Sequence, residues 1–134
     1  MPAAAFQGVS VQRMIRHKGV ELIAGCSIDP QFGPVLLLGA GGTLVELLDD
    51  KALALPPLSP LLVEDWLAHF KTARALNGIR GQPAADRPAL IDTLIKLGDL
   101  ILAEPRITEL DINPLIATTE SPVALDARII ISKV

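Results

Sequence analysis

The chain has 134 residues, half of them apolar, with three Phe, one Trp, no Tyr and a formal net charge of −3; its mean hydropathy is +0.44. That length suits a single domain burying roughly two-thirds of its unfolded surface without metal or disulfide staples. The scarcity of aromatic stacking platforms and the acidic balance argue against nucleic acid as a partner. No stretch offers the ~20 predominantly apolar residues of a bilayer span, and Met1 to Phe6 lacks the basic start and apolar core of a secretory signal. The expectation is a cytoplasmic protein, with no membrane partner, in which the single Cys26 is a small buried hydrophobe. Part of the apolar surface is expected to meet another domain or subunit, a second copy included.

Gly8 to Ile15 alternates apolar and polar residues and predicts a strand, paired through an Arg16–Gly19 turn with a second over Gly19 to Ser27. Asp29 to Pro34 is dense in breakers and predicts a turn. A third strand begins at Pro34 and runs into the glycine cluster Gly39-Ala40-Gly41-Gly42. Thr43 to Asp50 is ambiguous between strand and helix, and Lys51 to Leu55 reads as a short strand. Ser59 as N-cap with Pro60 behind it starts a helix that Asn77-Gly78 stops, with Leu62, Trp66, Phe70 and Ala73 as its apolar stripe. Gly78 to Pro83 is a loop. A second helix starts near Asp86, ends before Pro105 and buries Leu90, Leu94, Leu97 and Ile101. Strands over Ile107 to Ala117 and Val123 to Ser132 close the chain. The sum is an α+β domain, mainly an antiparallel sheet with helices packed on one face.

The last hairpin carries the chemistry. Strand alternation puts Asp111 and Asn113 on one face, with Ile112, Pro114 and Ile116 on the other. On the returning strand Asp126 and Arg128 share a face opposite Leu125, Ala127 and Ile129. A turn centred on Thr119-Glu120 places Asn113 across from Asp126 and Asp111 across from Arg128. Two carboxylates and an amide oxygen suit a hard cation such as Mg²⁺, which takes one or two carboxylates and completes its shell with water and phosphate. Arg128 is placed to neutralise Asp111 or to meet a phosphate oxygen. The competing reading is a solvated face with an Asp–Arg cross-strand pair. The glycine cluster lacks the third glycine of a dinucleotide-binding turn, which is Leu44 here, and has no Gly-Lys-Ser/Thr, so a tight turn is its simpler reading. Glu21 and Glu46 are lone acids in apolar segments and either point outward or face a site. His17 and His69 read as an exposed turn residue and a helix-boundary residue, and Trp66 as core.

Gly19–Gly25 (GVELIAG), Asp29–Pro34 (DPQFGP), Gly39–Gly42 with Val45-Glu46, Gly78–Gly81 with Pro83 and Asp86, Leu110–Leu115 (LDINPL) and Leu125–Arg128 (LDAR) follow one another in order and spacing. Together they resemble the ATP-grasp domain of ADP-forming acyl-CoA (acetyl-CoA) synthetases, which also occurs in fusions with a protein acetyltransferase module. More distantly they resemble the β-subunit of succinyl-CoA synthetase. The resemblance covers nearly all the chain from Gly8 onward. It implies ATP or ADP held between two α+β lobes with Mg²⁺ on its phosphates, and it carries the metal ligands onto Asp111, Asn113 and Asp126. It makes Arg128 a phosphate contact, puts Gly41, Gly42 and Glu46 at the nucleotide, and implies that Thr43–Asp50 is extended.

By the same resemblance residues 1–134 form one domain, the C-terminal lobe of an ATP-grasp domain without its preceding lobe. The partners implied are that lobe and the CoA-ligase domains, whose phosphate-carrying histidine neither His17 nor His69 matches. The expected function is the ATP/Mg-binding part of acid–thiol ligase chemistry, inactive by itself. The alternatives are a non-catalytic nucleotide-sensing or partner-binding module, including the regulatory part of an acetyltransferase fusion, and a Rossmann-like protein against which the glycine pattern counts.

Overall fold

The computed structural model describes residues 8–16, 18–42, 50–79 and 81–133. Expectations placed on Met1–Phe6, His17, Thr43 to Asp49 (Glu46 among them) and Arg80 lie outside the described residues.

β1 (Val20–Asp29) and β2 (Gly33–Ala40) form a hairpin, followed by β3 (Lys51–Ala54), α1 (Pro60–Ala68), a one-turn α2 (Ala73–Leu76) and α3 (Arg87–Ala103). The chain then returns through β4 (Ile107–Ala117), β5 (Val123–Ala124) and β6 (Ala127–Ile131). Every strand pair is antiparallel. The order is β3-β2-β1-β4, with β5 and β6 sharing the far edge of β4. The Asp29 carboxylate accepts the Gln31 and Phe32 backbone N–H groups, which closes the β1–β2 turn. Gly33 supplies the positive φ of +74° there, where a side chain is strained.

The N-terminal hairpin expected from sequence does not form. Gly8 to Arg16 has no regular structure, and its apolar members Val9, Val11 and Met14 are exposed. The reason is occupancy: β1 already pairs with β2 on one edge and β4 on the other, leaving no edge for a further strand.

The core is aliphatic and lies on one face of the sheet. Leu22, Ala24 and Cys26 of β1 and Leu36 and Leu38 of β2 meet Val63, Leu67, Leu90 and Leu94 of the helices. Trp66 is core as expected, but the stripe of α1 runs through Val63 instead of Leu62, which is 41% exposed. Burial pushes the Cys26 thiol up, against a lowering backbone hydrogen bond at Val35, so it stays protonated at neutral pH. Ser59 and Asp86 cap α1 and α3 by accepting the Leu62 and Ala89 backbone N–H groups.

One helix was expected from Ser59 to Asn77, and the structure breaks it at His69–Thr72. Asp50 is the cause. Its buried carboxylate accepts the Lys71 N–H at 2.9 Å, the Thr72 N–H and the Thr72 hydroxyl. Those backbone donors are then withdrawn from the i−4 ladder, and the chain turns before α2. Desolvation pushes the Asp50 carboxyl up, but the bonds from Thr72 and Lys71 outweigh it and hold it below the usual carboxylate range. A depressed folded-state pKa gives stability that is complete above the unfolded value of about 3.9 and fades as pH falls through the folded value. Asp50→Ala is therefore expected to cost about 2–3 kcal/mol in urea denaturation at pH 7. The gap to wild type should close below about pH 4; a gap that stays constant at low pH contradicts this role.

Candidate functional site

β4 is the strand on which the candidate ligands sit, and its alternation resets midway. Leu22 pairs with Leu115 and Ala24 with Ile112, so Asn113 and Pro114 together face the single residue Ile23. This is a bulge, and proline suits it because no ladder N–H is asked of that position. Its effect is that Leu110 and Ile112 before it and Leu115 and Ala117 after it all reach the same core. Simple alternation had grouped Ile116 with Ile112; the bulge puts Ile116 on the other parity, buried outside that core cluster.

Across the hairpin Asp111 pairs with Arg128 and Ile112 with Ala127, and Asn113 N–H donates to the Asp126 carbonyl at 3.2 Å. The pairing is symmetric about Thr119-Glu120, the centre expected from sequence. Asp111 thus sits between core residues and on the sheet face the helices do not cover, half-buried, with Asn113 and Asp126 exposed beside it. The Asp126 Oδ1 accepts the Ala127 N–H at 2.9 Å, which fixes that carboxylate relative to the strand.

Two features differ from expectation. The guanidinium of Arg128 pairs with Glu109, not with Asp111, the acid directly opposite it. Glu109 lies two residues before Asp111, a diagonal within reach of a long side chain. The returning strand is also not packed: β6 is exposed along its length, with Ile129 at 48%, because the core clusters on β1, β2 and β4.

Gly25 pairs with Asp111 across β1 and β4, and a Cβ on it would stand 3.7 Å from the Asp111 Oδ1 and 3.2 Å from the Leu110 carbonyl. The missing side chain keeps that carboxylate approachable through a shallow depression of about 230 Å³ bordered by Gly25, Ser27, Leu37, Glu109 and Asp111. Sequence reading missed Gly25 and Glu109; the signal for the first was a glycine inside an apolar strand. Among the described residues no three His, Cys, Asp or Glu side chains cluster as a metal cage. The hairpin offers two carboxylates and one amide oxygen instead. That donor set fits a magnesium ion retaining water and phosphate oxygens, and not a closed all-protein site.

The glycine turn lies at the other end of β1. Gly41 N–H donates to the Glu21 carbonyl at 2.8 Å, and a Cβ on Gly41 would fall 2.7 Å from the Glu21 carbonyl carbon. Gly42 has φ +73°, and a Cβ there would meet the Glu21 carboxylate at 2.8 Å. Glu21 is exposed, four residues along β1 from Gly25, or roughly 13 Å at strand rise. Close backbone approach and a positive φ account for both glycines as a turn. Gly41→Ala is expected to destabilise the fold by about 1–3 kcal/mol, read by thermal melting, because the obstacle is backbone; an unchanged melt contradicts the close approach.

A family model described as an ATP-grasp domain matches residues 1–131. The chain is 38% identical over 130 residues to the β subunit of acetate–CoA ligase (ADP-forming) I of Pyrococcus furiosus, covering 97% of this chain and 56% of that subunit. It is 35% identical over 133 residues to acetate–CoA ligase (ADP-forming) I of Archaeoglobus fulgidus, covering 99% of this chain and 19% of that protein. Among solved structures, acetyl-coenzyme A synthetase 1 of Ca. Korarchaeum cryptofilum in complex with coenzyme A and Mg-AMPPCP superposes with a TM-score of 0.79 at 40% identity, over 86% of this chain and 54% of that one. Its apo form gives 0.83 at 39% identity, over 89% and 57%. The chain therefore spans about half of the Pyrococcus subunit and of the Korarchaeum chain, and about a fifth of the Archaeoglobus protein. With a match running through residues 1–131, this chain belongs to the ATP-grasp domain family.

Proposed function

We propose that the uncovered face of the sheet is the metal-and-phosphate half of a nucleotide site, serving acid–thiol ligase chemistry of the ADP-forming acyl-CoA synthetase type. The observation that carries the reading is the β4–β6 register, with Asp111 opposite Arg128 and the Asn113 N–H bonded to the Asp126 carbonyl, which supports a shared site for Asp111, Asn113 and Asp126. The Korarchaeum relative was solved with Mg-AMPPCP, which supports a magnesium nucleotide as the ligand. When bound, the magnesium supplies charge neutralisation to the phosphates. Asp111, Asn113 and Asp126 would hold it.

Each residue has a distinct task in this scheme. The two carboxylates provide the charge that attracts the cation, and Asn113 adds a neutral oxygen without further repulsion between acids. Arg128, held by Glu109, presents its remaining guanidinium donors to phosphate oxygens. Gly25 leaves the Asp111 carboxylate open to the ligand. Gly41 and Gly42 shape the end of the face at Glu21, and the resemblance assigns them, with Glu46, to the nucleotide.

The 134 residues correspond to about half of the related β subunit. The remaining lobe and the CoA-ligase parts are assigned to partners or further sequence, and this span alone is expected to form no ADP from ATP, CoA and acetate.

Calorimetric titration of Mg-ADP into the chain tests the reading. Binding should require Mg²⁺ and weaken by roughly tenfold or more in Asp126→Ala, as expected for loss of a charged ligand. Arg128→Ala should weaken nucleotide binding while leaving Mn²⁺ binding intact. Binding that is indifferent to both the metal and Asp126 contradicts the assignment.

A further inference from the structure

Two depressions meet at α2. Thr72 and Ala75 border the one at the Gly41-Gly42 turn. Lys71, Arg74 and Asn77 border another, of about 690 Å³, completed by His69 and Phe70 at the end of α1 and Arg87 at the start of α3. That volume lies within the ~300–1,000 Å³ of small-molecule sites.

No carboxylate lines this second depression. The chain carries a net charge of −3, yet three permanent cations and an imidazole surround one concavity. Low-dielectric walls focus such a field toward an anion. The acids that could neutralise it are engaged otherwise. Glu64 accepts Arg87 Nε at 2.9 Å and Nη2 at 2.8 Å on a single oxygen, which pins the guanidinium and leaves Nη1 without a partner among the described residues. Asp50 grips Lys71 by its backbone N–H, while the ammonium makes no hydrogen bond or ion pair among the described residues. The Arg74 guanidinium has no partner there either. His69 spends Nδ1 on the Asp65 carbonyl at 2.8 Å, and because a carbonyl only accepts, Nδ1 carries the proton and Nε2 is left unbonded. Scattered surface cations are satisfied by water. Here Asp50 and Glu64 hold like charges around one space, an arrangement that a bound anion relieves.

We propose that this depression binds a small phosphomonoester, its phosphate held by Lys71, Arg74 and Arg87 and its organic body lying over Phe70. A planar guanidinium matches phosphate oxygens in pairs, and the Asn77 amide adds a neutral donor. A bare phosphate would leave most of the volume empty, and the concavity suits a compact ligand better than a chain segment. The site is independent of the metal-and-phosphate face proposed above, since it shares no residue with it.

The test is an NMR titration of the full chain with phenyl phosphate, with inorganic phosphate and phenol as comparisons. Saturable shifts are expected at the amides of residues 69–77 and at the Arg74 and Arg87 Nε–H resonances. Phenyl phosphate should bind more tightly than phosphate, and phenol should give no shift. Arg74→Gln, at an exposed and unpaired position, should weaken binding roughly tenfold or more without moving the melting temperature, and Arg74→Lys should restore part of the affinity. Asp126→Ala should leave it unchanged. No shift at millimolar phenyl phosphate overturns the proposal, as does affinity indifferent to Arg74→Gln or lost in Asp126→Ala. Inorganic phosphate binding as tightly also overturns it, and tighter binding of acetyl-Glu-Glu-Glu-amide does so in favour of an acidic partner protein.

Discussion

The pairing of β4 with β1 on one side and with β6 on the other is the constraint from which the rest of the molecule follows. A slip of one residue against β1 would turn Asp111 into the core and Leu110 and Ile112 out of it, and a slip against β6 would carry Arg128 away from its place opposite Asp111. The core therefore enforces the placement of the polar face: burying Leu110, Ile112, Leu115 and Ala117 together leaves Asp111 and Asn113 no other side to occupy. The Asn113-Pro114 bulge makes this consistent, since four residues of that spacing share a face only if one position is skipped. On the proposed reading packing and chemistry are one arrangement, with apolar burial supplying the positional accuracy that the proposed metal ligands would demand.

The ends of the sheet are tied down by polar devices. Asp50, just before β3, captures the backbone of Lys71 and Thr72 and so decides where α1 ends and how α2 approaches the glycine turn. Asp86 N–H donates to the Thr118 carbonyl at 2.7 Å, joining the end of β4 to the start of α3. Arg87 and Glu64 link α3 to α1 through an ion pair at 2.8 Å. The helices are thereby fixed on the core face, and the opposite face, bearing Glu21, Gly25 and Asp111, is not covered by them.

Much of this was legible in the sequence because it rests on local signals. The breakers of Asp29 to Pro34, the caps Ser59 and Asp86, the aliphatic face of α3 and the near-symmetry of the last hairpin about Thr119-Glu120 each reflect contacts between residues close along the chain. What was not legible depended on distant partners. Gly8 to Ile15 alternates like a strand, but β4, almost a hundred residues away, holds the edge it would need. The helix stripe through Leu62 to Ala73 gives no warning that Asp50 will draw off two of its backbone donors. The Arg128–Glu109 pair depends on which of two acids the guanidinium reaches, and spacing favoured the one directly opposite. The motif strings added what periodicity leaves open, namely that the chain belongs to the ATP-grasp domain family, as the family match shows.

The central claim is that one cation sits where Asp111, Asn113 and Asp126 meet. It is tested most directly by replacing Mg²⁺ with paramagnetic Mn²⁺ in the presence of ADP and mapping the broadening of backbone amide resonances. The account predicts broadening centred on residues 111–113 and 126–128, reaching Gly25 across the strand and weakening toward Gly41. Broadening centred elsewhere while nucleotide is bound, or none at those residues, would contradict it.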